Sequence, residues 1–152
     1  MSPTASRVDP YMVGSFLVSI GNAQPIPVSE VLGLEGAIDV VEYRTGNLTD
    51  NSPTKLAGLN RFSNVTLKRG LTQDTSLWTW FHNASTGSLV RETVTITLRD
   101  QGENAVWVWQ LVNAWPCKWT GPTLVANSSD VALESLEICH EGIELVSTYT
   151  GG

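Results

Sequence analysis

At 152 residues the chain is long enough for one domain with one hydrophobic core, burying about 70% of the surface that its unfolded form exposes. Nine basic against fifteen acidic residues, a net charge of −6, argue against the clustered Lys/Arg surface with which proteins hold a nucleic-acid backbone. Charged residues make up only 16% of the chain, below the usual ~25%, so much of the surface is either neutral polar or covered by partners.

The lead at residues 1–10 has no apolar core for a signal peptide, and no later stretch approaches the ~20 apolar residues of a membrane span. The expectation is synthesis in the cytoplasm and no stable membrane anchor. Phe16, Val18 and Ile20 then share one face of a first strand, which ends at Gly21-Asn22 and the Pro25/Pro27 loop. A second extended segment runs from Ala37 to Arg44. Turn formers fill Thr45 to Pro53, and a strand is predicted around Arg61 to Lys68, where Val65 and Leu67 alternate with Asn64 and Thr66. Residues 45–60 therefore read as an extended hairpin or loop. Val94, Ile96 and Leu98 alternate with Thr93, Thr95, Thr97 and Arg99 in the clearest strand of the sequence. The turn Asp100 to Asn104 leads into a strand from Ala105 to Val112. Two more strands are predicted near Val131–Cys139 and Ile143–Thr150, hinged at Glu141-Gly142, and residues 147–152 form a Thr/Gly-rich tail.

One helix interrupts the strands. Leu77, Trp80, Phe81 and Ala84 recur at i, i+3, i+4 and i+7, with Thr72 or Asp74 to cap the start and Gly87 at the exit. So short a helix is marginal alone. Burying Leu77 and Phe81 is worth roughly 1.5 to 3 kcal/mol each, so packing on the sheet must hold it. Trp78 lies off that stripe and covers either a loop of its own subunit or a neighbour. Trp107 and Trp109 project from one face of their strand and Val106 and Val108 from the other, so this strand needs cover on both sides. A core role for these tryptophans outweighs a sugar platform or a base-stacking surface.

Nothing in the pattern points to catalysis. His82 and His140 have no partners at ligand spacing, no nucleophile elbow or phosphate-binding loop occurs, and Cys117 and Cys139 read as reduced, inert thiols. No cofactor or metal is expected, and the chain is read as a non-enzyme. Lys68-Arg69-Gly70 is a basic turn before the helix. Charge is segregated: Arg44, Lys55, Arg61, Lys68 and Arg69 share a stretch with only Asp50 as an acid, whereas no Lys or Arg follows Lys118 and the tail carries Asp130, Glu134, Glu137, Glu141 and Glu144. The two segments either meet between copies, head to tail, or pair within one chain.

The run Lys55 to Phe81, KLAGLNRFSNVTLKRGLTQDTSLWTWF, resembles the inner tube proteins of contractile tails. So do GLEGAIDVVEY from Gly33 to Tyr43, NAWPCKWTGP from Asn113 to Pro122, SDVA from Ser129 to Ala132 and LESLEICHEGIEL from Leu133 to Leu145. That family comprises T4-like phage tail tube proteins and their relatives in extracellular contractile injection systems. The resemblance implies a mainly β single domain over 1–152, a sandwich or barrel-like sheet with one flanking helix. Hexameric rings of it, with a continuous β-barrel lumen, stack into a hollow tube. Its partners would be itself, a contractile sheath, baseplate and spike proteins, and luminal cargo, either protein effectors or DNA, without specific nucleic-acid recognition. A specialised subunit at the junction of tube and baseplate, and a non-assembling β-sandwich that binds carbohydrate, are the alternatives. On this reading Arg44, Thr45, Asp50, Lys55 and Arg61 are candidates to meet Glu134, Glu137 or Glu141 of an adjacent ring, and Thr93, Thr95, Thr97 and Arg99 are candidates to line the lumen. The lead and the tail exceed the minimal phage subunit.

Overall fold

The computed structural model describes residues 12–43, 46, 53–127 and 129–148; the lead at 1–10, most of the 45–53 loop with Arg44, Thr45 and Asp50, and the end of the tail lie outside the described residues. Ten strands and one helix follow in the order β1 Ser15–Ile20, β2 Ile26–Val28, β3 Glu30–Leu32, β4 Gly36–Tyr43, β5 Thr54–Phe62, β6 Val65–Gly70, α1 Ser76–Ser85, β7 Glu92–Arg99, β8 Ala105–Thr120, β9 Leu133–Cys139 and β10 Gly142–Thr148.

The main sheet runs β2-β1-β7-β8-β9-β6-β3, with β10 also on β8. Its two terminal strands, β2 and β3, are consecutive in the chain with only Ser29 between them, so the path turns back on itself there. The Ser29 amide and hydroxyl both donate to the Lys68 carbonyl oxygen, at 2.8 and 2.9 Å. Such closure hides strand edges that would otherwise stay open to pairing. The alternation read from the sequence sets the inward face: Val18, Val65, Leu67, Val94, Ile96, Leu111, Leu136 and Ile138 are fully buried in one cluster.

β8 is longer than the expected Ala105–Val112 segment. Its first half pairs with β7 and β10 and its second half with β9. Register on β8 passes without slip from Trp115↔Cys139 to Val112↔Gly142, so β9 and β10 lie end to end along it. Asn113, at φ 50, marks the bend, in a conformation that Asn tolerates better than most residues. Beyond Ala114 no β7 residue pairs with β8, which is why Pro116, lacking an N–H, fits within the strand.

α1 packs on β8, and Leu77 is its fully buried residue, with Trp80 and Phe81 against the same core. Its start is organised by Asp74, whose Oδ1 accepts the Ser76 amide at 3.0 Å, as well as the Ser76 hydroxyl. Gly87 leaves the helix at φ 101, which side chains other than hydrogen resist.

One expectation needs correcting. The strand around Arg61 to Lys68 is two strands: β5 ends at Phe62 and pairs with β4, while β6 begins at Val65 and pairs with β9 and β3. The physical reason is burial. Val65 and Leu67 are drawn into the core, whereas every residue of β5 stays exposed, so the chain must break between them. At that break Gly33, at φ 91, approaches so closely that a Cβ there would lie 2.1 Å from the Asn64 carbonyl oxygen.

Candidate assembly surfaces

The β4–β5 hairpin forms its own two-stranded sheet, and all residues of its two strands except Asp39 are exposed. It nevertheless carries Ile38, Val40, Val41, Tyr43, Leu56 and Leu59, the last 71% exposed. Val40 and Val41 are adjacent in a strand, so apolar groups appear on both faces. A two-stranded ribbon alone is at best marginally stable in water. Cross-strand charge helps: Arg61 Nε reaches both Asp39 carboxylate oxygens, at 2.9 and 2.7 Å, and Lys55 stands opposite Glu42. Arg61 is therefore already paired within its own hairpin.

The acidic candidates separate. Glu134 is corrected: it is 3% exposed and points into the protein, where its Oε1 accepts Arg69 Nε at 2.5 Å and its Oε2 accepts Trp119 Nε1 at 3.1 Å. It sits on the inward face of β9 with Leu136 and Ile138, and is out of reach of another ring. Arg69 Nη1 and Nη2 also bond the Asp74 carboxylate and carbonyl oxygens, at 2.9 and 2.6 Å. Burial alone would lower the Arg69 pKa, but its bonds to Asp74 and Glu134 outweigh that and raise it. The Ser76 hydroxyl and then Arg69 hold the Asp74 carboxyl down to about 2. Glu137 lies on the opposite face of β9, beside Cys117. Glu141 is exposed and bound to Arg91 and Asn113, at 2.9 and 2.7 Å. The sequence contained no local signal for the Arg69–Glu134 pair, which spans 65 residues.

Thr93, Thr95, Thr97 and Arg99 share the face of β7 that turns away from buried Val94 and Ile96. Register extends this face across neighbouring strands: Ser19 and Gln110 flank Thr95, Glu144 flanks Gln110, and Leu17 and Val108 flank Thr97. Arg99 Nε donates to Ser15 Oγ at 2.8 Å. The face combines Thr, Ser and Gln with Leu17 and Val108 and carries two charged groups, Arg99 and Glu144. Sequence reasoning found the threonines but missed Ser19, Gln110 and Glu144, because only register puts them in line.

Trp78 lies against its own subunit, edge-on to Trp119 at 4.9 Å and stacked on His82 at 5.5 Å, yet remains 40% exposed. A second apolar surface surrounds a groove of about 830 Å³ lined by Thr120, Leu124, Val125, Val131 and Leu133, where Leu124 is 86% exposed. Among the described residues, no group of three or more His, Cys, Asp or Glu is placed to hold a metal, and no helix is long and apolar enough to cross a membrane.

Known proteins share this architecture. A chain in the extended sheath-tube complex of an extracellular contractile injection system, PVC, is 27% identical with a TM-score of 0.80, over 91% of this chain and 93% of that one. A chain in the sheath/tube terminator of the same kind of system is 27% identical with a TM-score of 0.81, over 93% and 100%. Hcp1 from Flavobacterium johnsoniae, 14% identical with a TM-score of 0.57 over 86% and 94%, shares the fold. No curated protein matches the sequence. The family described as T4-like virus tail tube protein gp19 matches residues 14–144, nearly the whole of the described sheet and helix. The chain belongs to the T4-like tail tube protein family.

Proposed function

We propose that this chain is a structural, non-enzymatic subunit of the inner tube of a contractile injection particle or phage-like tail. Hexameric rings stack into a hollow conduit, held within a contractile sheath and seated on a baseplate. Sheath contraction drives the tube through the target envelope, and the cargo, protein effector or DNA, passes along the lumen without sequence-specific contacts.

The β4–β5 arm carries this reading. Among the described residues nothing buries its apolar side chains, which stay exposed on both faces, and a ribbon of that kind is stabilised by packing on a neighbour. The sheath-tube and terminator matches support the setting. Such an assembly is expected to bury interfaces in the obligate range of roughly 2,000 Å² or more per subunit. Lys55, Arg61, Glu137 and Glu141 remain candidates for contacts between rings, with the loop bearing Arg44, Thr45 and Asp50, and Thr95 and its row remain the candidate lumen wall.

Electron microscopy of purified protein tests the proposal, with rings or tubes as the expected result. Leu56→Glu with Leu59→Glu should leave the circular dichroism spectrum nearly unchanged but abolish rings. Monodisperse wild-type monomer at high concentration refutes the proposal. Replacing Gly46 to Pro53 by an Asn-Gly turn should preserve the fold and stop extension into tubes.

A further inference from the structure

Cys117 occupies an irregularity in β8. Pro116 stands opposite Ile138 and Lys118 opposite Glu137, which leaves Cys117 as the extra residue of a bulge. Cys139, the last residue of β9, stands opposite Trp115, so the two cysteines are diagonal neighbours across one antiparallel pair. Both are half-buried and free, and both lie on the face of this strand pair that carries Glu137, opposite buried Leu136 and Ile138. Cys117 Sγ also lies 3.4 Å from the Glu137 carbonyl oxygen, 3.8 Å from Glu137 Oε2 and 3.9 Å from Asn64 Nδ2. Diagonal positions in a regular pair are about 7–8 Å apart, just beyond the ~4.4–6.8 Å between Cα atoms that a disulfide usually spans. Closing the bond therefore takes a small backbone movement, which a bulge, where the ladder is locally disrupted, permits at Cys117.

We propose that Cys117 and Cys139 are a redox-active pair that closes to an intramolecular disulfide by exchange with a small-molecule disulfide. In the first step the Cys139 thiolate attacks one sulfur of the reagent, breaking its S–S bond and releasing one thiolate. In the second, Cys117 attacks the Cys139 sulfur of the mixed disulfide and expels the other. The Cys117 proton passes to solvent. The protein loses two electrons and two protons, and the reagent is reduced to two thiols. The order follows from environment: burial first, then contact with Cys139 and the charge of Glu137, pushes the Cys117 thiol up to about 12, so it is a poor first nucleophile. The bond would staple β8 to β9 at the end of their ladder remote from the connection between them, beside the turn from β9 to β10, without joining one subunit to another.

The test is to incubate purified protein with oxidised glutathione, alkylate it after denaturation and measure intact mass. Both thiols should disappear together, with a mass loss of two hydrogens, no retained glutathione and a single-chain band on a non-reducing gel. The melting temperature should rise by about 5–10 °C and fall back with dithiothreitol. Cys117→Ser should stop at a glutathione adduct on Cys139, and Cys139→Ser should react at least about tenfold more slowly than Cys117→Ser. A persistent adduct on the unaltered chain, chain-to-chain crosslinks, or two thiols that survive prolonged treatment overturns the proposal. Equal reactivity of the two single variants overturns the role given to Cys139.

Discussion

Replacing Arg69 by Ala should be among the most damaging single changes on this chain. The guanidinium is 5% exposed and satisfies Glu134, at 3% exposure, while also tying the Asp74 carboxylate and carbonyl at the start of α1 to β6. Truncation strips Glu134 of its cation and leaves its carboxylate buried with one neutral donor, Trp119 Nε1. Breaking a buried pair from one side costs about 3–5 kcal/mol, because the surviving charge stays desolvated. That is a large fraction of the ~5–15 kcal/mol by which domains are stable. For a chain of this length it corresponds to a fall of roughly 6–20 °C in melting temperature. Glu134→Gln keeps the shape and an acceptor for Trp119, and should cost only about 1–3 kcal/mol. Arg69→Met with Glu134→Leu, which removes both charges and fills the space, should recover most of the loss. The assay is urea denaturation followed by tryptophan fluorescence, repeated at several protein concentrations because assembly shifts apparent stability. A cost below about 1 kcal/mol for Arg69→Ala, or a double variant no better than the single one, would refute the reasoning.

Asp74 has a folded pKa of about 2, below the 3.8 of an unperturbed aspartate, so its contribution is present above the unfolded pKa and lost as pH falls through the folded one. Asp74→Asn should therefore destabilise at pH 6 and converge with the unaltered chain near pH 2; because the side chain is 45% exposed, solvent screening makes the effect modest. Leu77→Ala, at the fully buried position of α1, should cost about 2–5 kcal/mol by denaturation. Thr95→Cys in assembled tubes should react with small maleimides and resist bulky ones when the tube ends are capped, whereas rapid labelling by bulky reagents would place this face outside.

Local periodicity made much of the fold legible. Val94 and Ile96 on one face with Thr95 and Thr97 on the other, and the Leu77-Trp80-Phe81 stripe of α1, appear in the structure as the sequence predicts, because period-two and helical patterns are written within a few residues of one another. Tertiary pairing decided the rest. Nothing between Thr54 and Gly70 announces that the chain abandons β4 at Ser63 and joins β9 instead; burial of Val65 and Leu67 against strands distant in sequence makes that choice. The charge pattern left open whether the basic and acidic segments meet between copies or within one chain, and Glu134 was claimed by Arg69 of its own chain once β6 and β9 aligned in register. Which exposed residues can meet a neighbour is thus a property of strand register, and register is set by packing across the whole sheet rather than by any one segment.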